Sequence, residues 1–590
     1  MTLPFLEKYI NRQAVLKILI QYRCKEAERI QRVIVVDHLA VSNGRTERVR
    51  SCMQEVYSLF PPRRQWVHVG CDRRKKLTQI QKSELSLLLT VLRERNREAE
   101  HPEWYQRLES RIDKIIKAAI TNSQLFASPR VSVIEKKRDE KKKSIECRPI
   151  CLFKTLDERV YASLYNKVYT NLFDTVFYDN SFAFRAHQHG DPQMLHLKAV
   201  RAIKQFRKTH SGNLWVAECD MKKFYDTIDH DLIKKRFSQI ISWKKQAGDI
   251  NIEEARILKR VIYSYVNCYS FYKDVYKYNN KPLDPIWRHI AKSEKYDKCI
   301  KWVLNEIESR CLKEGCPYRT KRHYKHQLGV PQGGALSGII ANVVMHFVDL
   351  RLREYWMDNP AFLYVRFCDD MIMIGEKRAQ IENAFECYSN SIKISNLYMH
   401  EPRTFDDKRM KFFWEGKTRP PYQWGAPSKN VFPWITFVVY DVNWEGDTRI
   451  RRSTIKKEIL KQYEKRVEIE HLLRETSGRN PQWSKQYVWN SVYKRMIGMS
   501  VGRVPLWDYK TFDNNYSWAK AFLELTDNPW SEEQLRRLDM HRNLMMRRLS
   551  RFLLGLNYGD IKPSDKKEQS RAIWFFGKPY SYFGQVLKKW

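Results

Sequence analysis

The sequence predicts an α+β fold, in which short apolar strands alternate with helices from residue 145 to about 400. The run LWVAECD, 214–220, is typical of a buried strand that ends in a carboxylate. The run FLYVRFCDDMIMIG, 362–375, is typical of two strands joined by a tight turn that carries two adjacent aspartates. Between them, ALSGIIANVVMHFVDLRLREYW, 335–356, has the pattern of a long helix introduced by the turn-forming GVPQGG. Acidic side chains are thus expected at the ends of buried strands.

The 590 residues exceed what one compact core needs, so the chain is expected to fold as several units. Apolar residues recur every three or four positions near the N-terminus, which predicts helices there. The lysine-rich run 135–149 is read as a solvated linker or a phosphate-contacting loop, and the residues after it favour the loop. WITFVVYDV and DTRIRRS predict a strand pair around a turn at 443–447. The predicted regions are a helical extension at 1–130, a central α+β region at 131–426 with a basic aromatic insertion at about 236–326, a junction at 427–475, and a helical region at 476–590.

The charge of the chain predicts a polyanionic partner. Lys and Arg number 107 against 68 Asp and Glu, giving a formal net charge of +39. A long phosphate backbone needs many cationic contacts, so nucleic acid is the leading partner. No stretch has the continuous hydrophobicity of a membrane span or signal segment, so no membrane partner and a cytoplasmic location are expected.

Cysteine usage predicts reduced thiols, because the twelve cysteines are irregularly spaced in a large chain. One cluster, Cys311, Cys316, His323 and His326, contains zinc-ligating residue types. Its C-x4-C-x6-H-x2-H spacing is unusual for a structural zinc site. Zinc binding at this cluster is left open.

Three aspartates have the arrangement that nucleotide joining requires. Asp369 and Asp370 lie at the predicted hairpin tip, and Asp220 ends another apolar strand. Nucleotidyl transfer uses two divalent cations, and Mg²⁺ prefers a few carboxylates together with phosphate oxygens and water. An Asp-Asp pair alone is common in surface turns. The surrounding motifs therefore decide the interpretation.

Those motifs occur in a recognisable order. DMKKFYDTIDHDLI, QLGVPQGGALSGIIANVVMHFVD and YVRFCDDMIMIG resemble the palm motifs of bacterial reverse transcriptases related to group II intron enzymes. RPICLFKTLDERVYASLYNKV and SFAFRAHQHG resemble the family's fingers blocks, and NLYMHEPRTFDDK and ITFVVYDVNWEGDTRIR resemble the two blocks after the catalytic hairpin. The similarity covers roughly 145–475. It implies a right-hand polymerase fold with fingers, palm and a helical thumb, and RNA-directed DNA synthesis.

The resemblance also implies roles for individual residues. Asp220, Asp369 and Asp370 would be catalytic, and together with Met221 would hold two Mg²⁺ ions. Tyr225 would be an aromatic gate beneath the sugar, with Phe224 packed inward, and Gln332 would lie beside the incoming base and sugar. Core packing is the alternative for Tyr225.

Further positions are implied around the nucleotide. Arg148 and Arg185 would contact the incoming nucleotide or the template backbone, with surface solvation as the alternative, and Asn342 would support the pocket. Two positions depart from the family pattern. Arg403 stands at the usual lysine position, and FVVY at 437–440 lacks the usual Leu-Gly pair.

The long extensions are most similar to those of the unclassified bacterial reverse transcriptases associated with antiphage defence. This likeness implies deoxynucleoside triphosphates as substrates, a DNA product, and an RNA template or a dedicated noncoding RNA as partner. An intron-derived retroelement reverse transcriptase or maturase and a noncatalytic RNA-binding scaffold are the alternatives. Homo- and hetero-oligomers are both left open.

Overall fold

The computed structural model describes residues 2–37, 55–70, 79–139, 144–186, 195–275, 300–301, 327–406, 410–477, 518–556 and 580–581, together with 485, 488, 489, 492, 493, 496 and 499. Contacts divide the chain into two units. Unit 1 contains residues 1–18, 108–199 and 212–432, and unit 2 contains residues 19–107, 200–211 and 433–590. The region predicted as one helical extension, 1–130, therefore contributes residues to both units.

The described helices are α1 (Pro4–Tyr9), α2 (Arg12–Asp37), α3 (Gln79–Arg95), α4 (Glu103–Thr121), α5 (Leu156–Phe173), α6 (Leu195–Thr209), α7 (Phe224–Thr227), α8 (His230–Gln246), α9 (Ile252–Asn267), α10 (Phe271–Asp274), α11 (Ser337–Trp356), α12 (Arg378–Ile394), α13 (Met410–Glu415), α14 (Arg452–Thr476) and α15 (Pro529–Leu554). No described helix is both long and apolar enough to cross a membrane.

The described strands are β1 (Arg130–Asp139), β2 (Ser144–Leu152), β3 (Leu214–Cys219), β4 (Ile300–Lys301), β5 (Phe362–Phe367), β6 (Asp370–Gly375), β7 (Arg419–Trp424), β8 (Val431–Phe432), β9 (Trp434–Phe437), β10 (Tyr440–Asn443) and β11 (Thr448–Ile450). They form three sheets, ordered β5-β6-β3-β7-β8, β1-β2-β4 and β11-β10-β9.

The five-stranded sheet forms the centre of unit 1 and positions the predicted carboxylates. β3 lies between β6 and β7 and pairs antiparallel with both. Leu214, Val216 and Ala217 are fully buried, because the apolar run predicted from the sequence occupies an interior strand. β5 and β6 pair as the predicted hairpin, with Phe367 opposite Asp370. The predicted strands 214–220 and 362–375 are therefore confirmed.

Helix α11 confirms the long helix predicted after GVPQGG. Of its twenty residues, thirteen are buried. A helix that is apolar on most of its surface needs partners on several sides. Here α12, α8 and β5 supply those contacts.

Two segments differ from their predicted conformations. The lysine-rich run, read as a linker or loop, lies mostly in the antiparallel hairpin β1–β2, with Val131 opposite Cys151. Residues 236–275, assigned to the predicted insertion, lie largely in α8 and α9, and Phe237, Ile240, Leu258 and Val261 are fully buried core residues. Most described aromatic residues of this segment also pack inside unit 1, whereas Trp243 and Tyr263 are exposed. Most of the remaining insertion, and the whole cysteine–histidine cluster at 311–326, lie outside the described residues.

Unit 2 contains a small antiparallel sheet and the helix pair α14–α15. β10 and β11 pair around residues 443–447, as predicted. The run WITFVVYDV is two strands, because the chain turns at Val438, which has a φ of 55°. A β-branched residue rarely adopts this conformation, so the sequence contains no turn signal at this position. Between α14 and α15, Ile469, Leu473, Met545 and Leu549 belong to one apolar core.

Candidate active site

The catalytic carboxylates predicted from the sequence meet at one edge of the five-stranded sheet. Asp220 directly follows β3, whose last residue, Cys219, pairs with Met371 of β6. Asp369 and Asp370 lie in the turn and first position of that same β6 strand. Neighbouring strands therefore bring all three side chains to the same end of the sheet.

The charges of these carboxylates act on one another and on Cys219. Burial raises the pKa of Asp369, and the negative charge of Asp220 raises it further. Burial also raises the pKa of the Cys219 thiol, to which Asp220, Asp370 and Asp369 all add. Carboxylates held this close repel one another unless a cation lies nearby.

A lysine that the sequence analysis did not single out contacts Asp220. The Lys417 ammonium lies 2.5 Å from Asp220 Oδ2 and 3.3 Å from His400 Nε2. Burial and the Lys417 charge lower the pKa of His400 to about 4, so the imidazole is neutral near pH 7. Arg403, at the position where the family usually has lysine, instead donates to the Phe412 carbonyl at 2.8 Å. Tertiary structure thus places Lys417, and not Arg403, beside Asp220.

The donor set fits Mg²⁺, which prefers hard oxygen ligands and keeps several water molecules. Across the parts of the chain that the structure describes, no three His, Cys, Asp or Glu side chains form a preassembled metal cluster. Met221 is buried and forms a backbone bridge with Met399. Its thioether is not a hard ligand, so only its carbonyl oxygen suits the predicted metal contact.

Tyr225, the predicted sugar gate, lies against the turn at 368–369. Its hydroxyl is 2.9 Å from Cys368 Sγ, and burial raises the pKa of the phenol. Phe224 is buried, in agreement with its predicted inward packing. Cys368 has a φ of 61°, so it adopts the left-handed backbone conformation in the tight two-residue turn between β5 and β6.

Gln332 lies between the β1–β2 hairpin and the segment after β3. Its carbonyl accepts from the Cys151 amide at 2.8 Å, and its side-chain amide donates to Asp226 Oδ1. Burial raises the pKa of Asp226 to about 6, against the opposing effects of Gln332 and the nearby positive charges of Lys223, Arg148 and Lys136. The motifs in the sequence did not identify Asp226 as part of the site, because its only signal is a carboxylate near the start of a short helix.

The two predicted nucleotide-binding arginines have different environments. Arg148 is exposed on β2, where its guanidinium can reach a ligand. Arg185 is 1% exposed, and it donates to Asp174 Oδ1 at 2.6 Å and to the carbonyls of Asp174, Phe177, Tyr178 and Ser181. The predicted nucleotide contact of Arg185 is therefore wrong in this structure, because its donors are already used inside the protein.

A second buried arginine holds the catalytic turn and was also missed. Arg366 donates to both oxygens of Asp349, at 2.7–3.1 Å, and to the Cys368 carbonyl at 2.9 Å. Its guanidinium also reaches Ser181 Oγ at 2.7 Å and Asn342 Oδ1 at 3.4 Å. Asn342 is fully buried and donates to the Ala183 carbonyl at 2.6 Å, so it supports the loop before Arg185. The sequence contains one signal for this structural role of Arg366, which is a charged residue inside the apolar run YVRF.

Comparisons with known proteins cover parts of this chain. Residues 278–404 match the family described as reverse transcriptase (RNA-dependent DNA polymerase). This range includes Gln332, Asp369 and Asp370. A COX1/OXI3 intron 1 protein of Saccharomyces cerevisiae is 27% identical over 184 residues, which are 31% of this chain and 14% of that protein. The aligned part is thus a small fraction of the relative's length.

Solved structures with detectable similarity include telomerases. Apo telomerase from Candida tropicalis aligns with 98% of this chain and 85% of its own, at 11% identity and a TM-score of 0.34. Telomerase from Candida albicans in complex with a telomeric RNA fragment aligns with 83% of this chain and 79% of its own, at 11% identity and a TM-score of 0.32. These TM-scores are too low for structural details of the telomerases to be applied to this chain. The family match instead shows that residues 278–404 are similar to reverse-transcriptase domains.

Proposed function

We propose that this protein is an RNA-directed DNA polymerase that joins deoxynucleotides by two-metal nucleotidyl transfer. The observation that carries the proposal is the convergence of Asp220 with Asp369 and Asp370 at the ends of paired strands. Two Mg²⁺ ions would activate the primer 3′-oxygen and neutralise the leaving pyrophosphate. The three carboxylates, with the Met221 carbonyl, would hold these ions.

The protein groups around the carboxylates bind and orient the substrates. Exposed Arg148 presents several donors to phosphate. Gln332, oriented by Asp226, lies at the position proposed for the incoming base and sugar. The Tyr225 ring, fixed against Cys368, fills the space where a 2′-hydroxyl would lie and so favours deoxynucleotides.

The test is primer extension by the purified full chain on an RNA template, with Mg²⁺ and labelled deoxynucleotides. Asp369→Ala should reduce incorporation at least about 100-fold while thermal unfolding stays near that of the wild type. Asp231→Ala is a matched control, because that carboxylate is 79% exposed and outside the site. Near-normal incorporation by Asp369→Ala would contradict the assignment, and an inactive wild type would favour a noncatalytic RNA-binding scaffold.

We also propose that the enzyme works in antiphage defence with a dedicated noncoding RNA, in a reducing cytoplasm. Support comes from the formal net charge of +39, which suits a long polyanionic partner, and from the seven described cysteines, none of which forms a disulfide. The protein purified with its native gene neighbourhood should retain one discrete RNA, and ribonuclease treatment should abolish its DNA product. Plaque formation should rise when Asp369→Ala replaces the wild type.

A retroelement function is the second candidate, favoured by the similarity to the yeast intron protein. In that case, the copurifying RNA would be an intron that flanks the gene, and Asp369→Ala would leave plaque formation unchanged. RNA sequencing and the plaque assay therefore separate the two functions while the polymerase activity remains common to both.

A further inference from the structure

Phe184 combines two features that packing alone does not explain. Its side chain is 47% exposed, and its φ of 55° lies in the left-handed region that bulky residues rarely adopt. Glycine would adopt this backbone conformation without strain. The structure therefore maintains a strained backbone with an aromatic ring turned outward, a combination that clusters at functional sites.

The residues on both sides of Phe184 are fixed by buried hydrogen bonds. The Phe182 amide donates to the Arg366 carbonyl at 3.0 Å, and the Ala183 carbonyl accepts from Asn342 at 2.6 Å. On the other side, the buried Arg185 guanidinium bonds to Asp174 and four carbonyls. The backbone at Phe184 is thus held rigidly, which lowers the entropy cost of any contact made by its ring.

One side of the ring lies directly on helix α11. A Cβ atom added at Gly338 would come within 2.6–2.9 Å of three atoms of the Phe184 ring, so only glycine permits this approach. The rest of the ring faces solvent. This arrangement makes a supported flat apolar surface, of the type on which nucleobases stack without sequence preference.

The backbone before Phe184 is connected through Arg366 to the turn at 368–369. The Arg366 carbonyl accepts a hydrogen bond from the Phe182 amide, and the Arg366 guanidinium donates one to the Cys368 carbonyl. Tyr225 contacts the same turn through Cys368 Sγ. The turn is therefore linked both to the backbone that precedes Phe184 and to Tyr225, which is proposed to lie beneath the incoming sugar.

We propose that Phe184 is a stacking surface for an unpaired base of the template strand next to the active site. The inference rests on the proposed polymerase function, which brings a single-stranded template to this part of unit 1. A phenyl ring has no hydrogen-bonding group, so the contact tolerates any base. It orients the template without reading its sequence.

The test places 2-aminopurine, whose fluorescence falls on stacking, at the first unpaired template position of a primer–template. Binding of wild-type protein, without nucleotide, should quench the fluorescence. Phe184→Leu should restore most of the signal and weaken template binding about 10-fold, whereas Phe184→Tyr should behave as the wild type. Gly338→Ala should also reduce quenching, since it displaces the ring without changing it. Phe412→Leu is the matched control, because Phe412 is similarly exposed.

Each outcome bears on the proposal. Equal quenching by the wild type and Phe184→Leu would overturn it. A raised KM for deoxynucleotides with unchanged quenching would also overturn it, by assigning the ring to the incoming nucleotide. A wild type that quenches the probe but incorporates nothing would reject the polymerase function and retain the stacking site.

Discussion

At the end of the five-stranded sheet, Asp220 and Asp369 are partly exposed, whereas Arg366, close to Asp369 along the chain, and its ion-pair partner Asp349 are fully buried. Asp220 has a lysine partner, Lys417, and burial together with the negative charge of Asp220 raises the pKa of Asp369. In the buried pair, two guanidinium nitrogens of Arg366 donate to the two carboxylate oxygens of Asp349, which is the bidentate geometry of a strong ion pair. The carboxylates at the end of the sheet are therefore available for the proposed reaction, whereas the buried Arg366–Asp349 pair stabilises the fold. Access to ligand distinguishes them.

The largest expected effect on stability comes from breaking the buried pair. Arg366→Met leaves the Asp349 carboxylate without its partner and should lower the free energy of unfolding by about 3–5 kcal/mol. Denaturant unfolding measures this loss. The double variant Arg366→Met, Asp349→Leu should recover much of it, since no unpaired charge remains. A double variant as unstable as the single one would show that the contacts to Cys368 and Ser181 dominate instead.

The two predicted nucleotide-binding arginines provide a matched comparison. Arg185→Met should lower the free energy of unfolding by roughly 3 kcal/mol, because the buried Asp174 carboxylate loses the guanidinium that balances its charge. Arg148→Met should change stability by less than about 0.5 kcal/mol, as exposed substitutions usually do, while raising the KM for deoxynucleotides. Parallel unfolding and steady-state measurements test both. An Arg148 variant with unchanged KM would remove it from the nucleotide site.

Asp226 should make stability depend on pH. Its folded-state pKa of about 6 lies above the usual aspartate value, so ionisation costs stability above pH 6 and costs nothing below about pH 4. Asp226→Asn should therefore be more stable than the wild type by on the order of 2–3 kcal/mol at pH 7.5, with the difference shrinking as pH falls from 6 to 4. Unfolding curves across this range measure the difference. A constant difference would show that Asp226 ionisation is not responsible.

The smallest expected change concerns selectivity at Tyr225. Tyr225→Ala should raise the ratio of ribonucleotide to deoxynucleotide kcat/KM by roughly 10-fold or more, because the ring no longer clashes with a 2′-hydroxyl. Tyr225→Phe should keep wild-type selectivity, since it keeps the ring and loses only the contact to Cys368. An unchanged ratio in an active Ala variant would indicate that Tyr225 only packs against the turn.

The sequence by itself determined the elements that present the carboxylates. Apolar runs ending in Asp220 and flanking Asp369 could form only buried strands with acidic ends, and α11 was evident from its length and its glycine-rich start. Local signals worked here because strand burial and helix periodicity are written in neighbouring residues. The same signals failed at Val438, where a turn forms without a turn residue, and in the lysine-rich hairpin β1–β2.

Only the tertiary structure decided which charged groups face a ligand. Arg148 and Arg185 belong to equally suggestive motifs, yet one is exposed and the other donates all its hydrogen bonds inside the protein. Lys417 reaches Asp220 across 197 residues of sequence, and Asp226 reaches Gln332 across 106. Such contacts depend on how distant segments pack. The free energy of a charge depends on its surroundings, which a linear pattern of residue types does not contain.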